Sequence, residues 1–423
     1  MLPNLKGIEH MPKSKKSKSG GLRATCAQAD LAKGLGIVAR AVAARSTLPI
    51  LGNILIGNDP MSLDRLRLQA TNLEVGITCY LHGHIDADGA ITVPARTIVD
   101  LVNAMPDDEQ VTLEVNERTQ TLTISAGRYH NNIRGVDAKE FPLVPTGHVV
   151  EAYHMQVDAV YLRELIDRVA FAAAKDESRP ILTGVYTMLD GETFTLAAAD
   201  GFRLSTDSIL SITEVRQPLS VIVPARALTE LSRIMGEQDK PIGISLLGEG
   251  TPSQILFHME SIDLVSQLID GRYPEYVAIL PKDSTTIVTV DGTQLSTACK
   301  AANVFAREAQ NIVAFTVRAG ELIVRAASAE TGDNSSVIDA DVQGPDMTIA
   351  FDVRYIKDFL AVLEKRKIQI HLTDAAHAGL FTDETLPNFR GVVMPMTIDG
   401  RITTDEPYDP APAQNEGQDD EEE

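Results

Sequence analysis

The 423-residue chain has no tryptophan, three cysteines and few aromatics, which make up 5% of its residues. Cys26, Cys79 and Cys299 are far apart and odd in number, so they offer neither a disulfide framework nor a paired zinc site; they read as small buried hydrophobes. No apolar run approaches the roughly 18 residues that a membrane span needs. A secretory leader is also missing, because the basic "PKSKKSKSGG" runs into the mixed "LRATCAQADLAKG" and not into an apolar stretch. The expectation is a cytoplasmic protein with no membrane partner.

Basic charge is scarce as well. The net charge is -21, with nine carboxylates against Arg401 in residues 401–423 and five lysines against Glu9 in residues 1–22, which leaves -17 on the residues between. That balance disfavours a protein that coats duplex DNA tightly. Composition predicts a disordered basic arm over 1–22 and a disordered acidic tail over 399–423.

Catalytic motifs are missing too. His82 and His84 in "LHGHI" sit two apart on one face of an expected strand, without a third ligand at metal spacing. "KGLG" at Lys33–Gly36 lacks the glycine spacing of a phosphate loop and lies in a helix pattern. No G-x-S-x-G or H-E-x-x-H occurs, and Asp107 and Asp108 occupy a helix-to-strand loop. The chain is expected to be non-catalytic, with no cofactor and no metal.

What the sequence does have is length and internal repetition. Its length suits roughly three domains. "VPARTIVDLVNAM" at Val93, "VPARALTELSRIM" at Val223 and "FDVRYIKDFLAVL" at Phe351 align on Arg96, Arg226 and Arg354, which lie 130 and 128 residues apart. Ahead of each comes a second marker, "LRLQATNLEVGI", "FTLAAADGFRLS" and "LIVRAASAETGD", with Ala70, Ala198 and Ala326 separated by 128 residues each time. Ile98, Leu101, Val102 and Met105, with Ile356, Phe359, Leu360 and Leu363, fall at helical spacing, and Pro94 and Pro224 suit a first helical turn. Another helix opens each copy near Leu31, Leu162 and Leu295. Alternating stretches such as "QVTLEVNERTQTLTISAG", with a turn at Asn116, predict strands. The fold class is α+β, three copies of one unit, with domains expected at 23–150, 151–284 and 285–398.

"STLPILGNILI" at Ser46, "ESRPILTGV" at Glu177, "LAAADGFRLS" at Leu196, "VIVPARALTELSRI" at Val221, "LIDGRYPEY" at Leu268 and "VVMPM" at Val392, in this order, resemble the bacterial DNA polymerase III beta subunit family, the replicative sliding clamps. The resemblance spans about residues 22–398. It implies three processivity-fold (DNA clamp) domains per chain and a homodimer closed into a ring around duplex DNA. The ring would hold DNA without sequence preference and serve DNA replication as a processivity factor. An alternative is a repeat-built protein-interaction scaffold that does not encircle DNA. Retention by topology answers the charge objection, since a ring needs only a weakly positive inner wall.

Lys33, Arg40, Arg163, Arg168, Arg226, Arg233, Lys300, Arg354 and Lys357 lie off the apolar stripes and are candidates for that lining; for each the alternative is a solvated helix face. Arg45 and Arg179 match family positions that approach DNA. The resemblance also implies a cleft for short peptide motifs of the DNA polymerase III alpha subunit, the clamp loader delta subunit, and other polymerases and repair proteins. Its residues here would be Leu182, Gly201, Phe202, Arg203, Leu204, Pro274, Ile279, Ala376, Ala378, Val392, Val393, Met394, Pro395 and Met396. The alternative for the last five is an ordinary edge strand facing the core. Phe202, Ala278 and Thr397 depart from the family's usual His, Arg and Arg. At the dimer face, Val304 and Phe305 would meet Asn131 and Ile133 of the other subunit. The acidic tail, emerging beside the cleft, would compete with or repel acidic partners.

Overall fold

The computed structural model describes residues 21–397, apart from Ala44, Ser46, Leu63, Asp108, Glu151, Ala152, Glu237 and Glu364. Six α-helices occur among the described residues, two per repeat: α1 Gln28–Val38 and α2 Ala95–Asn103, α3 Ala159–Val169 and α4 Ala225–Met235, α5 Gly292–Ala306 and α6 Val353–Leu363. The opening helices start three residues before the apolar stripes suggest; in the second and third copies a side-chain cap holds the first turn, whereas α1 has no side-chain cap at Ala27. Asp158 accepts from the Val160 and Tyr161 N–H groups at 2.9 and 3.1 Å, and Asp291 from those of Thr293 and Gln294 at 3.0 Å each. Pro94 and Pro224 stand at the N-cap, one place before the first turn. In the third copy Asp352 takes the equivalent place and accepts from Arg354 N–H at 2.9 Å. A proline leaves no N–H unpaired there, whereas an aspartate satisfies one of the orphan donors.

The chain divides into two compact units. One holds the described residues through Tyr153 with Gly243–Leu247 and Gln254–Gln267; the other holds His154–Ile242, Gly248–Ser253 and the described residues from Leu268 onward.

In the first unit a five-stranded antiparallel sheet runs in the order His84–Ala87, Arg23–Ala27, Gln110–Asn116, Thr121–Ala126, Tyr129–Arg134. Val111, Leu113 and Val115 alternate inward, and Asn116 Oδ1 accepts from Thr119 N–H at 3.2 Å to make the expected turn. The unit's second sheet continues from Val75–His82 into Ile262–Gln267, with Ile77 opposite Leu264 and Gly76 opposite Val265. Strands of the second repeat thus complete a sheet of the first, covering an edge that would otherwise be left open. In the second unit, Arg203–Pro224 likewise pairs with Leu386–Val393 of the third repeat within one ten-stranded sheet.

Ala70, Ala198 and Ala326 are buried on Arg65–Thr71, Gly184–Ala199 and Glu321–Ser328. The stripes of the marker helices are buried as expected: Ile98 and Val102, then Leu228, Leu231 and Met235, then Ile356, Phe359, Leu360 and Leu363. All three cysteines are free and buried, and burial pushes each thiol up to about 12.

The expected disordered arm ends too late. Leu22 is fully buried and its carbonyl accepts from Val115 N–H at 2.8 Å, because the chain joins the sheet at this point. Residues 1–20 of the arm and the whole expected tail, 399–423, lie outside the described residues, as does Asp108. Asp107 is exposed, and among the described residues no three His, Cys, Asp or Glu side chains converge as a metal site. No described helix is long and apolar enough to cross a membrane.

Candidate peptide groove and nucleic-acid interface

Three antiparallel strands of the second unit set the groove. Leu204 lies opposite Val392, and Val392 lies opposite Leu380. With side chains alternating between faces, these three form one row, and Ala199, Tyr276, Leu280 and Ala378 pack against it as a small apolar cluster. The neighbouring row, Arg203, Val393 and Gly379, belongs to the opposite face. There Val393 is fully buried in the main core of the third repeat with Phe359, Phe381 and Phe389. Its assignment to the cleft is therefore corrected: the same alternation that puts Val392 in the groove floor puts Val393 in the core.

Beyond the pairing, Met394 N–H donates to Phe202 O at 2.9 Å and Met396 N–H to Ala350 O at 2.8 Å. Met394 is exposed at the groove, with Pro395 and Met396 half-buried. A short 3-10 turn, Tyr276–Ile279, supplies the facing wall, where Ile279 and Val277 are exposed beside Pro274. Behind it Tyr273 Oη accepts from Ala199 N–H at 3.0 Å, and the Tyr186, Tyr273 and Tyr276 rings adjoin one another. Leu182 is half-buried on Pro180–Thr183. Ala376 is exposed, in a turn made by Asp374, and its N–H donates to Asp374 Oδ1 at 2.8 Å. Ala278 and Thr397 are exposed too.

The turn "DGFR" divides its labour. Asp200 Oδ1 accepts from Phe202 and Arg203 N–H at 2.9 and 3.0 Å, and Gly201 holds φ +95°. Phe202 is half-exposed and stacked on Tyr355 at 6.2 Å. Arg203 is buried: it pairs with Asp200 and Asp358, donates to Phe171 O at 2.8 Å and lies over the Phe171 and Tyr355 rings. The fold therefore holds the guanidinium in place, although Arg203 still lines the cavity beside Phe202.

Three family models match the chain in order: the DNA polymerase III beta subunit N-terminal domain over residues 22–145, the central domain over 156–275 and the C-terminal domain over 277–397. The chain belongs to the DNA polymerase III beta subunit family. The beta sliding clamp of a Synechocystis strain is 30% identical, over 89% of this chain and 100% of that protein. Among solved structures, the DNA polymerase sliding clamp of Bacillus subtilis superposes with a TM-score of 0.82 at 26% identity, covering 90% of this chain and 100% of that one. The sliding clamp of Pseudomonas aeruginosa bound to griselimycin gives 0.81 at 29% identity, with coverage of 90% and 100%.

Within this clamp chain the candidate DNA-facing cations sit mostly where the apolar stripes leave them. Lys33, Arg40, Arg45, Arg179, Arg226, Arg233, Lys300 and Arg354 are exposed, and Arg163 and Lys357 are half-buried. Arg233 pairs with Glu230, Arg354 with Asp352, and Arg163 donates to Gly236 O. Helices α4, α5 and α6 each carry a net charge of +1, and α1 to α3 carry none, in a chain of net -21. Acidity is therefore concentrated away from the helices.

Arg168 is a correction. It is buried, with Nε 2.6 Å from Asp207 Oδ2 and Nη1 3.1 Å from Glu164, so it meets neither solvent nor DNA. Asp207 lies on a strand 39 residues on in the chain, and nothing in the helix pattern signals it.

At the dimer face, Tyr129–Arg134 is the edge strand of its sheet. Ile133 is buried against its own sheet and Asn131 half-buried, so the expectation of an Ile133 side-chain contact is corrected; Tyr129 is the large exposed side chain there. Val304 is half-exposed, whereas Phe305 packs against the core of the third repeat.

Proposed function

We infer that two copies of this chain close head to tail into a DNA sliding clamp: a non-catalytic ring that encircles duplex DNA without reading its sequence. Partners then dock short peptide motifs in the groove of each copy. The alpha subunit of DNA polymerase III, the clamp loader delta subunit, and other polymerases and repair proteins are those partners. The proposed domains are residues 23–150, 151–284 and 285–398, and the proposed location is the cytoplasm. The observation that carries the peptide reading is the apolar row Leu204, Val392 and Leu380, with Leu204 and Val392 buried and Leu380 half-buried, flanked by exposed Met394 and Ile279. Soft, flexible methionines and small aliphatics can repack around different ligands.

A tether of this kind acts by holding its partner at high local concentration on the template, without chemistry of its own. A modest positive charge on the helices suits it, since each strong phosphate contact would add counterion-release free energy and slow sliding. The exposed sheet edge at Tyr129–Arg134 and half-exposed Val304 supply surfaces for closure between copies.

The test is to load the protein on nicked circular DNA with its cognate loader and then linearise the circle. Release on linearisation is expected; retention on free-ended DNA would show that topology does not hold it. A chain that sediments as a monomer at micromolar concentration would instead favour the interaction scaffold.

A further inference from the structure

Beside the groove lies a second, differently built feature of the same unit. A cavity of about 350 Å³ is lined by Lys175, Arg179, Phe202, Arg354 and Tyr355, among others. Its carboxylates are mostly spent. Asp200 and Asp358 are paired with Arg203, and Asp176 accepts from Ser178 N–H at 2.9 Å and its hydroxyl at 2.5 Å. Arg354 is held by Asp352, whereas Lys175 and Arg179 form no ion pair among the described residues. Gly201 leaves room for the Arg179 guanidinium across the turn: a Cβ there would stand 3.0 Å from Nη1. The cavity therefore offers two cations outside any ion pair among the described residues, with the Asp176 carboxylate near Arg179, beside a half-exposed aromatic pair, Phe202 on Tyr355.

The chain itself carries a matching segment. Met394 is hydrogen-bonded to Phe202 on the cavity's rim and Met396 to Ala350, so the polypeptide passes the cavity just before the tail. Nine residues on, the sequence reads "DEPYD" at Asp405–Asp409, an aromatic between carboxylates with prolines at 407 and 410. Nine extended residues reach about 30 Å, which is ample for a site that the chain already touches. Prolines reduce the ordering cost of an extended segment, and a short tether gives an effective concentration of roughly millimolar, so a weak intrinsic affinity suffices.

We propose that Asp405–Asp409 of the chain's own acidic tail docks in the cavity between Lys175, Arg179 and the Phe202–Tyr355 pair, and from there competes with partner peptides for the adjoining groove. This rests on the peptide-groove reading above. Partners displace the tail, and those with acidic residues of their own do so by taking over the same two cations.

The test compares the full chain with a full-length variant carrying Asp405→Asn, Glu406→Gln, Tyr408→Ser and Asp409→Asn. The probe is a fluorescein-labelled peptide of residues 402–412. The expected result is binding to the variant at least threefold tighter than to the parent, weakened by salt and lost with Arg179→Glu or Lys175→Glu. Carbodiimide treatment of the parent chain should join Lys175 to Asp405–Asp409 in preference to exposed Lys282. Equal affinity for both chains, no binding at millimolar peptide, or no preference for Lys175 would overturn the proposal. A second peptide, from the cognate polymerase alpha subunit, separates the two readings. If it binds the groove while the tail peptide does not, only the tail fails; if it binds neither chain, the groove reading fails first.

Discussion

Leu204 and Val392 face each other across two antiparallel strands contributed by different repeats. That pairing fixes which residues of the "VVMPM" strip can meet a ligand, and it separates two adjacent positions. Val393→Ala should lower stability by about 2 kcal/mol, the usual scale for methyl groups removed from a packed core, while leaving peptide affinity nearly unchanged. Met394→Ala should do the reverse, with peptide affinity falling several-fold and the urea midpoint holding. Urea titration and fluorescence anisotropy of a polymerase peptide check the pair. Equal losses in both assays for both variants would refute the division.

The six helices were legible because each packs on one side only, so a stripe such as Ile356, Phe359, Leu360 and Leu363 shows its period directly. The sharing of sheets between repeats was not, since Val75–His82 finds its neighbour in Ile262–Gln267, far along the chain, and an edge carries no local mark of its partner. The groove divides the same way. Its floor residues Leu204 and Val392 stand in recognisable strings, as do Ala199 and Tyr276, but Leu380 and Leu280 arrive through strand register and a turn. Tyr355 and Asp358 on α6, which flank Phe202 and Arg203, were likewise unmarked. Burial of Arg168, Arg203 and Ile133 depends on what covers them, which neither the apolar stripe that placed Arg168 at the surface nor the family resemblance that named Arg203 and Ile133 reveals.

Arg168 and Arg226 should part company in the laboratory. Arg168→Ala leaves Asp207, a buried carboxylate whose pKa burial already raises, without its guanidinium, which costs about 3 kcal/mol or more. Arg168→Met with Asp207→Asn should recover most of that loss, because neither member of the pair is then stranded. Neither change should alter the salt dependence of duplex DNA binding. Arg226→Ala should leave stability within about 0.5 kcal/mol of the parent. It should reduce the slope of log affinity against log salt by about 0.9, one phosphate contact. Thermal melts and DNA titrations over a salt series provide both readouts.

The three buried thiols set a pH dependence whose sign is defined. Burial raises each from the ordinary 9.0 to about 12, so the folded chain holds these protons more tightly than the unfolded one. Their contribution is complete below pH 9 and is lost as the pH rises from 9 toward about 12. Tyr273, whose phenol burial pushes to about 12, adds to the loss above pH 10. The urea midpoint should therefore fall steadily above pH 9. At pH 8 a thiol reagent should find no reactive cysteine in the folded chain and all three after unfolding. Rapid labelling of any one in the native state would place that thiol in contact with solvent.

Leu73 and Gly201 occupy the same position of the repeat, three residues after Ala70 and Ala198. Both turns are built alike: Asn72 Oδ1 accepts from Glu74 and Val75 N–H at 3.0 and 2.8 Å, as Asp200 does one repeat later. Both need a left-handed residue, φ +76° at Leu73 and +95° at Gly201. Glycine adopts that conformation freely, whereas a side chain there costs about 1–2 kcal/mol. Leu73→Gly removes the strain at the expense of roughly 0.5–1 kcal/mol of unfolded-chain entropy and some packing of a half-exposed leucine, for a net gain near 0.5 kcal/mol. In a chain of this size that amounts to a rise of about 0.5 °C in melting temperature. The opposite exchange, Gly201→Leu, adds the strain and drives a side chain toward Arg179, so it should lower both melting temperature and affinity for the tail peptide. A fall in melting temperature for Leu73→Gly would mean that the leucine's packing outweighs the strain of its turn.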